Sequence, residues 1–555
     1  MNNDYMTSTG ELNKKILVTN ALPYANGSVH IGHLVGYIQA DIWVRFQKMK
    51  EKDCLYLCAS DSHGTPIMLS AESIGLEPEA LAEQYTKEHA KDFQDFLIEF
   101  DNYHSTHTSE NEILVGEIFN ELNKSGYIEK KIIEQAYDKT QEIFLPDRYV
   151  KGTCPQCSTD DQYGDNCEKC GATYKPTDLI NPISVLSGKT PILKKSEHYF
   201  MKLSHFEDML KKWIPTIDMN DSVKEKLNEW FSMGLKDWDI SRDHPYFGFK
   251  IPGENKKYFY VWLDAPIGYL ASLKNLASKS NVIYEDYFSE NSDCHLVHFI
   301  GKDIIYFHTL FWPAVLEGAG LKKPNAIFVN GFLTVNGKKM SKSRGTFIKA
   351  RTYLNHSNPE YLRYYYAYKT NSKIDDFDFD TVDFENRVNA DLVGKWINIA
   401  SRSAKFINQY FKNKTSQSID NPELIKIFQD QSDDIGLLYE KREFGQAMRK
   451  IMLLADQANQ YLEKEKPWIL IKDEINYERV HAICTTAINL FLIITIYLKP
   501  VVPNIAKEAE KFLNLNFQNW NDINKTIINH NINDYPALLT RIKKEDIESI
   551  INNSK

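Results

Sequence analysis

The segment Lys15-Ile-Leu-Val-Thr-Asn20, followed by Ala25-Asn26-Gly27-Ser28 and His30-Ile31-Gly32-His33, decides the fold. Its apolar run reads as a buried strand, Asn-Gly-Ser as a turn, and Val29 to Met49 as a helix, so the chain opens a βαβ unit. Ser28 is expected to cap that helix close to the first histidine. Free backbone N–H groups and the positive end of a helix dipole attract anions there. Histidines at i and i+3 on one face of the first turn can both donate to one phosphate. Gly32 between them presents no side chain, which lets a flat base or ribose lie against the backbone.

The alternation continues outward with a strand at Cys54 to Cys58 and a helix beyond Pro66, up to about Thr108. It resumes with strand-like Tyr258 to Trp262, with His295 to Ile300 leading into Gly301-Lys302-Asp303, and with Ala326 to Val329. The Gly- and Pro-rich stretch from about Glu110 to Pro252 reads as an insertion. These features predict an α/β Rossmann-type parallel-sheet domain split by an insertion. From about Val382 long amphipathic helices predict an α-helical bundle, with loop in the Asn- and Ile-rich stretch from Asn514 to Asn533.

The 555 residues are too many for one core, so three or four modules are expected. Hydrophobic residues at 43% and charged residues at 25% exclude a largely disordered chain, and a net charge of −9 argues against nonspecific coating of nucleic acid. The polar stretch Met1 to Lys14 lacks the apolar core of a signal peptide, which predicts a cytoplasmic protein. Ala487 to Leu498, broken by Asn489 and Thr495, is expected to be a buried helix and not a membrane span. Cys54, Cys58, Cys294 and Cys484 are scattered and read as reduced thiols. Cys154-Pro-Gln-Cys157 and Cys167-Glu-Lys-Cys170 form two hooks nine residues apart, with glycines beside them for tight turns. Four thiolates close a tetrahedral shell and leave no place for water, so a structural Zn2+ is expected; a redox pair would explain one hook but not both.

A second short string, Lys339-Met340-Ser341-Lys342-Ser343, lies between Gly337 and Gly345. A basic run between glycines is commonly a solvated loop, and a lone H-x-x-H is commonly a surface pair. Both in this order in an α/β chain point to an ATP site, with flexible lysines closing over the triphosphate.

The two strings and the cysteine knuckle between them resemble the class I aminoacyl-tRNA synthetases, and among them the methionyl-tRNA synthetase family. The resemblance runs nearly end to end, through Ala21 to His33, Asp61-Ser-His-Gly-Thr65, the knuckle, Val261-Trp-Leu-Asp-Ala-Pro-Ile-Gly-Tyr269, Phe299-Ile-Gly-Lys-Asp303 and Lys339 to Ser343. It implies a Rossmann catalytic domain in two halves, 1–108 and 258–332, around a connective insertion, 109–257, with the knuckle near 150–174. A linking domain, 333–394, carries the lysine loop, and an anticodon-binding bundle occupies 395–555.

The same resemblance assigns residues. His30 and His33 meet the phosphates, with Gly32 and Gly301 beside the nucleotide; Asp303 holds the ribose; Lys342, helped by Lys339, neutralises departing pyrophosphate. Ala21, Leu22, Tyr24, Asp61, Trp262, Ala265, Pro266, Tyr269 and His308 line the methionine site. There Asp61 takes the α-ammonium, and Tyr269 and His308 offer polar contacts near a polarizable sulfur. Without the resemblance most of these aromatic residues read as core. Asn398 and Arg402, at i and i+4, and Trp468 match anticodon-reading positions, although a tryptophan after Pro467 is ordinarily core. The implied partners are ATP with Mg2+, L-methionine and tRNA(Met), the initiator included. No membrane is expected. Without an appended dimerisation domain a monomer is expected, and an insertion too short for a hydrolytic editing domain leaves rejection of homocysteine to the synthetic site. The rivals are a sister synthetase for valine, isoleucine, leucine or cysteine, a small-molecule nucleotidylyltransferase, which needs no anticodon bundle, and a silent RNA-binding paralogue. Intact His30, His33 and Lys342 oppose the last.

Overall fold

The computed structural model describes residues 15–340 and 346–554 apart from 165, 166, 168, 171 and 173. At its centre is a five-stranded sheet of β1 (Ile16–Asn20), β2 (Cys54–Ser60), β3 (Asn102–Ser105), β4 (His295–Gly301) and β5 (Ala326–Asn330), in the order β5-β4-β1-β2-β3. Every pairing is parallel, with Ile16 opposite both His295 and Cys54. Parallel strands covered on both faces are largely apolar, and β1 is buried along its whole length, Thr19 and Asn20 included. The strand order reverses between β1 and β4, which opens a crevice at their carboxyl ends. Polar β3, Asn-Tyr-His-Ser, carries no apolar signature and was not anticipated as a strand.

Two expectations about local structure need correction. The helix α1 spans Leu34–Met49, not Val29 to Met49; it starts after His33, and no side chain caps it, Ser28 included. The cause is tertiary. His30 bridges Lys349 in antiparallel fashion, Ile31 N–H donates to Ile348 O at 3.0 Å and Ala350 N–H donates to Val29 O at 2.9 Å, which commits that backbone to strand-like pairing. Tyr258 to Trp262 is likewise no strand of the parallel sheet. Lys257–Phe259 pairs antiparallel with nearby Ser241–Asp243, and Val261–Asp264 forms a helical turn whose first N–H donates to Tyr246 Oη.

The insertion emerges after β3 and returns to β4. Its backbone is a long antiparallel ribbon of Ile128–Asp138 with Ile192–Met201, beside a small three-stranded sheet of Val150–Thr153, Gln162–Tyr163 and Ile180–Ser184. After β5, Leu333–Val335 turns through Asn336-Gly337, both with positive φ, into Lys338–Lys339 and pairs on its other side with Phe377–Phe379. The remainder is helical. Its central helix, Tyr477–Leu498, contains the one apolar window among the described residues long enough to cross a bilayer, and 94% of that window is buried inside the bundle. It is therefore core, as its interrupted apolar run predicted.

Packing does not follow the sequence modules. One hydrophobic core runs from β1 and α1 through the linking segment into the bundle, and a second fills the opposite face of the sheet with residues of the insertion. The helix α1 shows why: all but two of its 16 residues are buried, and its Phe46 stacks on Tyr439 of the bundle.

Candidate active site

The paired histidines lie just beyond β1, in turns that precede α1. Their rings stack with centroids 3.6 Å apart. His30 Nδ1 accepts from Gly32 N–H at 3.1 Å and His33 N–H at 3.3 Å, while His33 Nδ1 accepts from His30 N–H at 3.2 Å. A nitrogen that accepts carries no proton, so each ring presents Nε2–H as its donor. Burial pushes His30 down to about 4. His33, open to solvent at one edge but crowded elsewhere, is also lowered, by burial and then by His30 and His89. Both are neutral donors at physiological pH. Gly32 sits close to the His30 ring, which a Cβ there would approach to 3.0 Å, and such a Cβ would also displace the flexible end of Met340.

The neighbouring strand supplies the other side of the crevice. Gly301 ends β4, and a Cβ on it would lie 2.5 Å from the carboxylate of Asp303, which is exposed on the next turn. Lys339 is exposed in its short hairpin strand. Lys342 lies outside the described residues.

The residues expected around the amino acid come from four separate segments. Ala21 and Leu22 continue β1: Ala21 N–H donates to Phe299 O, Tyr37 Oη donates to Ala21 O, and Leu22 packs where Gly268 leaves room. Tyr24 bridges Asp61 beyond β2. The turn Val261–Asp264 and the helix Ile267–Ser278 carry Trp262, Ala265, Pro266 and Tyr269. His308 sits on a π-helical turn, Phe307–Phe311. Its Nδ1–H donates to Ile304 O at 3.2 Å, so its Nε2 accepts from Tyr269 Oη at 2.9 Å. Burial pushes His308 down to about 4, leaving it neutral. Trp262 is 38% exposed and meets Phe307 edge-on, while Tyr269 stacks on buried His298. Asp61 is raised well above the carboxylate range by burial and then by Asp264, and its Oδ1 has no hydrogen-bond partner among the described residues.

Sequence reasoning missed the supports of this site. Tyr366 Oη donates to Ile31 O at 2.8 Å, between the two histidines, and Phe347 meets His30 edge-on. The guanidinium of Arg242 lies 3.5 Å over the Tyr260 ring. His63, Asp264 and His107 form a hydrogen-bonded chain behind Asp61. Only His63, inside Asp61-Ser-His-Gly-Thr65, and Asp264, inside Val261 to Tyr269, fall within quoted motifs, and neither was given a role there.

Two further clusters lie outside the crevice. The Sγ atoms of Cys154, Cys157, Cys167 and Cys170 all fall within 4.8 Å of one another, with Cys154–Cys170 at 3.8 Å and Cys157–Cys167 at 3.5 Å. These separations are far beyond a disulfide bond. They match the edge of about 3.8 Å that four sulfurs at 2.3 Å from one Zn2+ make. In the bundle, Arg402 lies 4.2 Å over the Trp468 ring and pairs with Glu463, and Asn398 donates to Asn459. Trp468 is half-buried and packs at the edge of the bundle core.

A doubly wound sheet with stacked histidines after its first strand, an inserted cysteine cluster and a helical C-terminal half define a class I aminoacyl-tRNA synthetase. The family model for tRNA synthetases class I (M) matches residues 16–404, and that for the anticodon binding domain of methionyl tRNA ligase matches 415–549. The chain belongs to the methionyl-tRNA synthetase family. It is 55% identical over 545 residues to the methionine–tRNA ligase of Francisella tularensis subsp. tularensis (strain WY96-3418), covering 98% of this chain and 81% of that one. The relative from F. tularensis subsp. holarctica (strain OSU18) gives the same figures. In fold it is similar to Mycobacterium tuberculosis methionyl-tRNA synthetase in complex with methionyl-adenylate, with TM-score 0.79 at 22% identity over 94% of this chain and 99% of that one. The apo form of that enzyme gives 0.73 at 20% identity over 97% and 100%.

Proposed function

We propose that this chain joins L-methionine to tRNA(Met) in two steps through a methionyl-adenylate. The methionine carboxylate attacks the α-phosphorus of ATP and pyrophosphate leaves; the terminal ribose hydroxyl of the tRNA then attacks the adenylate carbonyl and AMP leaves. The observation that supports this reading is the stacked His30–His33 pair beyond β1, each ring offering Nε2–H, with Asp303 just beyond the neighbouring strand β4. Neutral donors fixed in advance stabilise charge as it develops on phosphate oxygens, without reorganisation at the moment of reaction. Asp303 takes the ribose, and Lys342 with Lys339 takes the charge of leaving pyrophosphate. Ala21, Leu22, Trp262, Ala265 and Pro266 enclose the side chain, and the Tyr269–His308 pair directs polar atoms at the sulfur. A hydrocarbon pocket alone separates side chains poorly, whereas a site built with polar groups rejects analogues that leave them unpaired.

Arg402, Trp468 and Asn398 would read the anticodon, and initiator and elongator tRNAs sharing that anticodon are both substrates. The four cysteines would hold one structural Zn2+, and Mg2+ would enter with ATP. The eight free cysteines fit a reducing cytoplasm, and the protein would act as a monomer. ATP–pyrophosphate exchange across the amino acids, with zinc stoichiometry on the same preparation, tests the reading. Exchange with methionine alone and one zinc per chain are expected; exchange driven by valine, isoleucine or leucine would overturn it. Lys342→Ala is expected to slow adenylate formation about 10²–10³-fold, as loss of one placed donor does. Near-normal single-turnover formation would refute its role.

A further inference from the structure

Asp264 is completely buried at the end of the turn that leads into Ala265 and Pro266. One carboxyl oxygen accepts from His63 Nδ1–H at 2.5 Å, and the other has no hydrogen-bond partner among the described residues. His63 Nε2 meets His107 Nδ1 at 2.9 Å. With Nδ1–H donating to Asp264, His63 Nε2 can accept from His107 Nδ1–H, so hydrogen bonds alone close the chain His107–His63–Asp264. Asp61 Oδ1 and Tyr24 Oη are also buried without a partner.

The charges here do not balance. Asp264 acts on Asp61, and Tyr24 and Tyr269 are the other titratable groups that feel Asp61. Around Asp264 stand His63, His107 and Tyr246. Among the described residues no lysine or arginine is ion-paired with either carboxyl, and Asp264 pairs with His63 alone. Two carboxyl groups removed from water without a cation are costly and each disfavours ionisation of the other. A cation arriving from outside removes that cost, and an amino acid brings one on its α-nitrogen.

We propose that Asp264, oriented by His63, is a specificity-determining charge of the amino-acid site: with Asp61 it forms a carboxylate pair that the α-ammonium neutralises, so that the pocket demands a protonated amino group. This rests on the methionine-activating reading. His63 is a positioning residue that holds one oxygen of Asp264 and ties the loop carrying Asp61 to the turn carrying Trp262, Ala265 and Pro266.

The test compares methionine with its α-hydroxy analogue, in which a hydroxyl replaces the amino group, using the full chain. KM for methionine comes from ATP–pyrophosphate exchange, and Ki for the analogue from inhibition of that exchange. Asp264→Asn is expected to raise KM for methionine about tenfold, the loss of one charge interaction at short range, while Ki for the analogue stays level or falls. Removing the charge of Asp264 also lowers the pKa of Asp61, so the acid limb of 1/KM moves to lower pH. A merely structural role would weaken methionine and analogue together and leave the acid limb in place, and that result overturns the proposal. Unchanged constants for both do so equally. If Asp264→Asn yields no folded protein, His63→Ala keeps Asp264 but frees it, and the ratio of Ki to KM is expected to fall about threefold or more, following the same charge dependence; an unchanged ratio overturns the proposal. Wild-type chain that exchanges no pyrophosphate with methionine would overturn the functional reading instead.

Discussion

The two histidines differ from the pair that their spacing suggested. An i, i+3 pair on a first helical turn would project both rings into solvent; here each Nδ1 is taken up by backbone N–H groups and only Nε2–H remains to donate. A neutral pair makes a pH prediction. With His30 at about 4, single-turnover adenylate formation should show no inflection near pH 6.5, the ordinary histidine value, and one there that His30→Gln abolished would contradict the geometry. The same shifts act on stability. His30 and His308 both titrate at about 4 in the folded chain, so the unfolded chain binds protons first as pH falls. Their contribution is complete above the unfolded value near 6.5 and is lost as pH falls from there toward 4. Urea midpoints measured across that window should decline toward acid, and less steeply in His308→Gln.

At the scale of elements, loops carry the site and the sheet places them. The crevice mouth was legible because β1 and β4 are apolar runs followed by polar, glycine-bearing turns. The start of α1 was not, because the pairing of Val29 to Ile31 with Ile348 to Ala350 joins residues more than 300 positions apart. No local propensity records such a partner. Conversely the cysteine knuckle was legible in full, since its hooks and turns are local. With four thiolates converging from two C-x-x-C hooks, removal of a bound metal would leave a small sheet with little core of its own. Chelation is therefore expected to lower the melting temperature and to make four thiols reactive together; melting that ignores chelator would sink the metal assignment. Trp468→Ala belongs to this scale too. It removes a platform on a turn of the bundle while leaving the crevice untouched, so methionine-dependent exchange should hold while charging falls about 10–100-fold, the range for one stacked base. Charging at the wild-type rate would exclude Trp468 from the tRNA surface.

Across the whole molecule, one side chain joins the modules. Arg363 is completely buried, and its guanidinium donates to Asp41 Oδ2 of α1 at 2.6 Å, to Leu97 O at 3.2 Å, and to Pro500 O and Val501 O of the bundle. Its neighbour Glu360 caps the bundle helix Pro503–Leu513 through Asn504 N–H and Ile505 N–H. Asp41 keeps Arg45, whose Nε donates to it at 2.7 Å, but the buried carbonyls of Pro500 and Val501 lose their donor, so Arg363→Met should cost about 1–3 kcal/mol of unfolding free energy in urea titration. A change under ~1 kcal/mol would show the bundle to be anchored elsewhere. By itself the sequence determined the class of fold, the four-cysteine cluster and the family, because apolar periodicity, short-range turn chemistry and motif order are written along the chain. Only the tertiary structure decided which imidazole nitrogen faces outward, that His63 ties Asp264 to the loop carrying Asp61, and that Arg363 ties three modules into shared packing. Those facts depend on desolvation and on contacts between remote segments, and neither exists until the chain has folded.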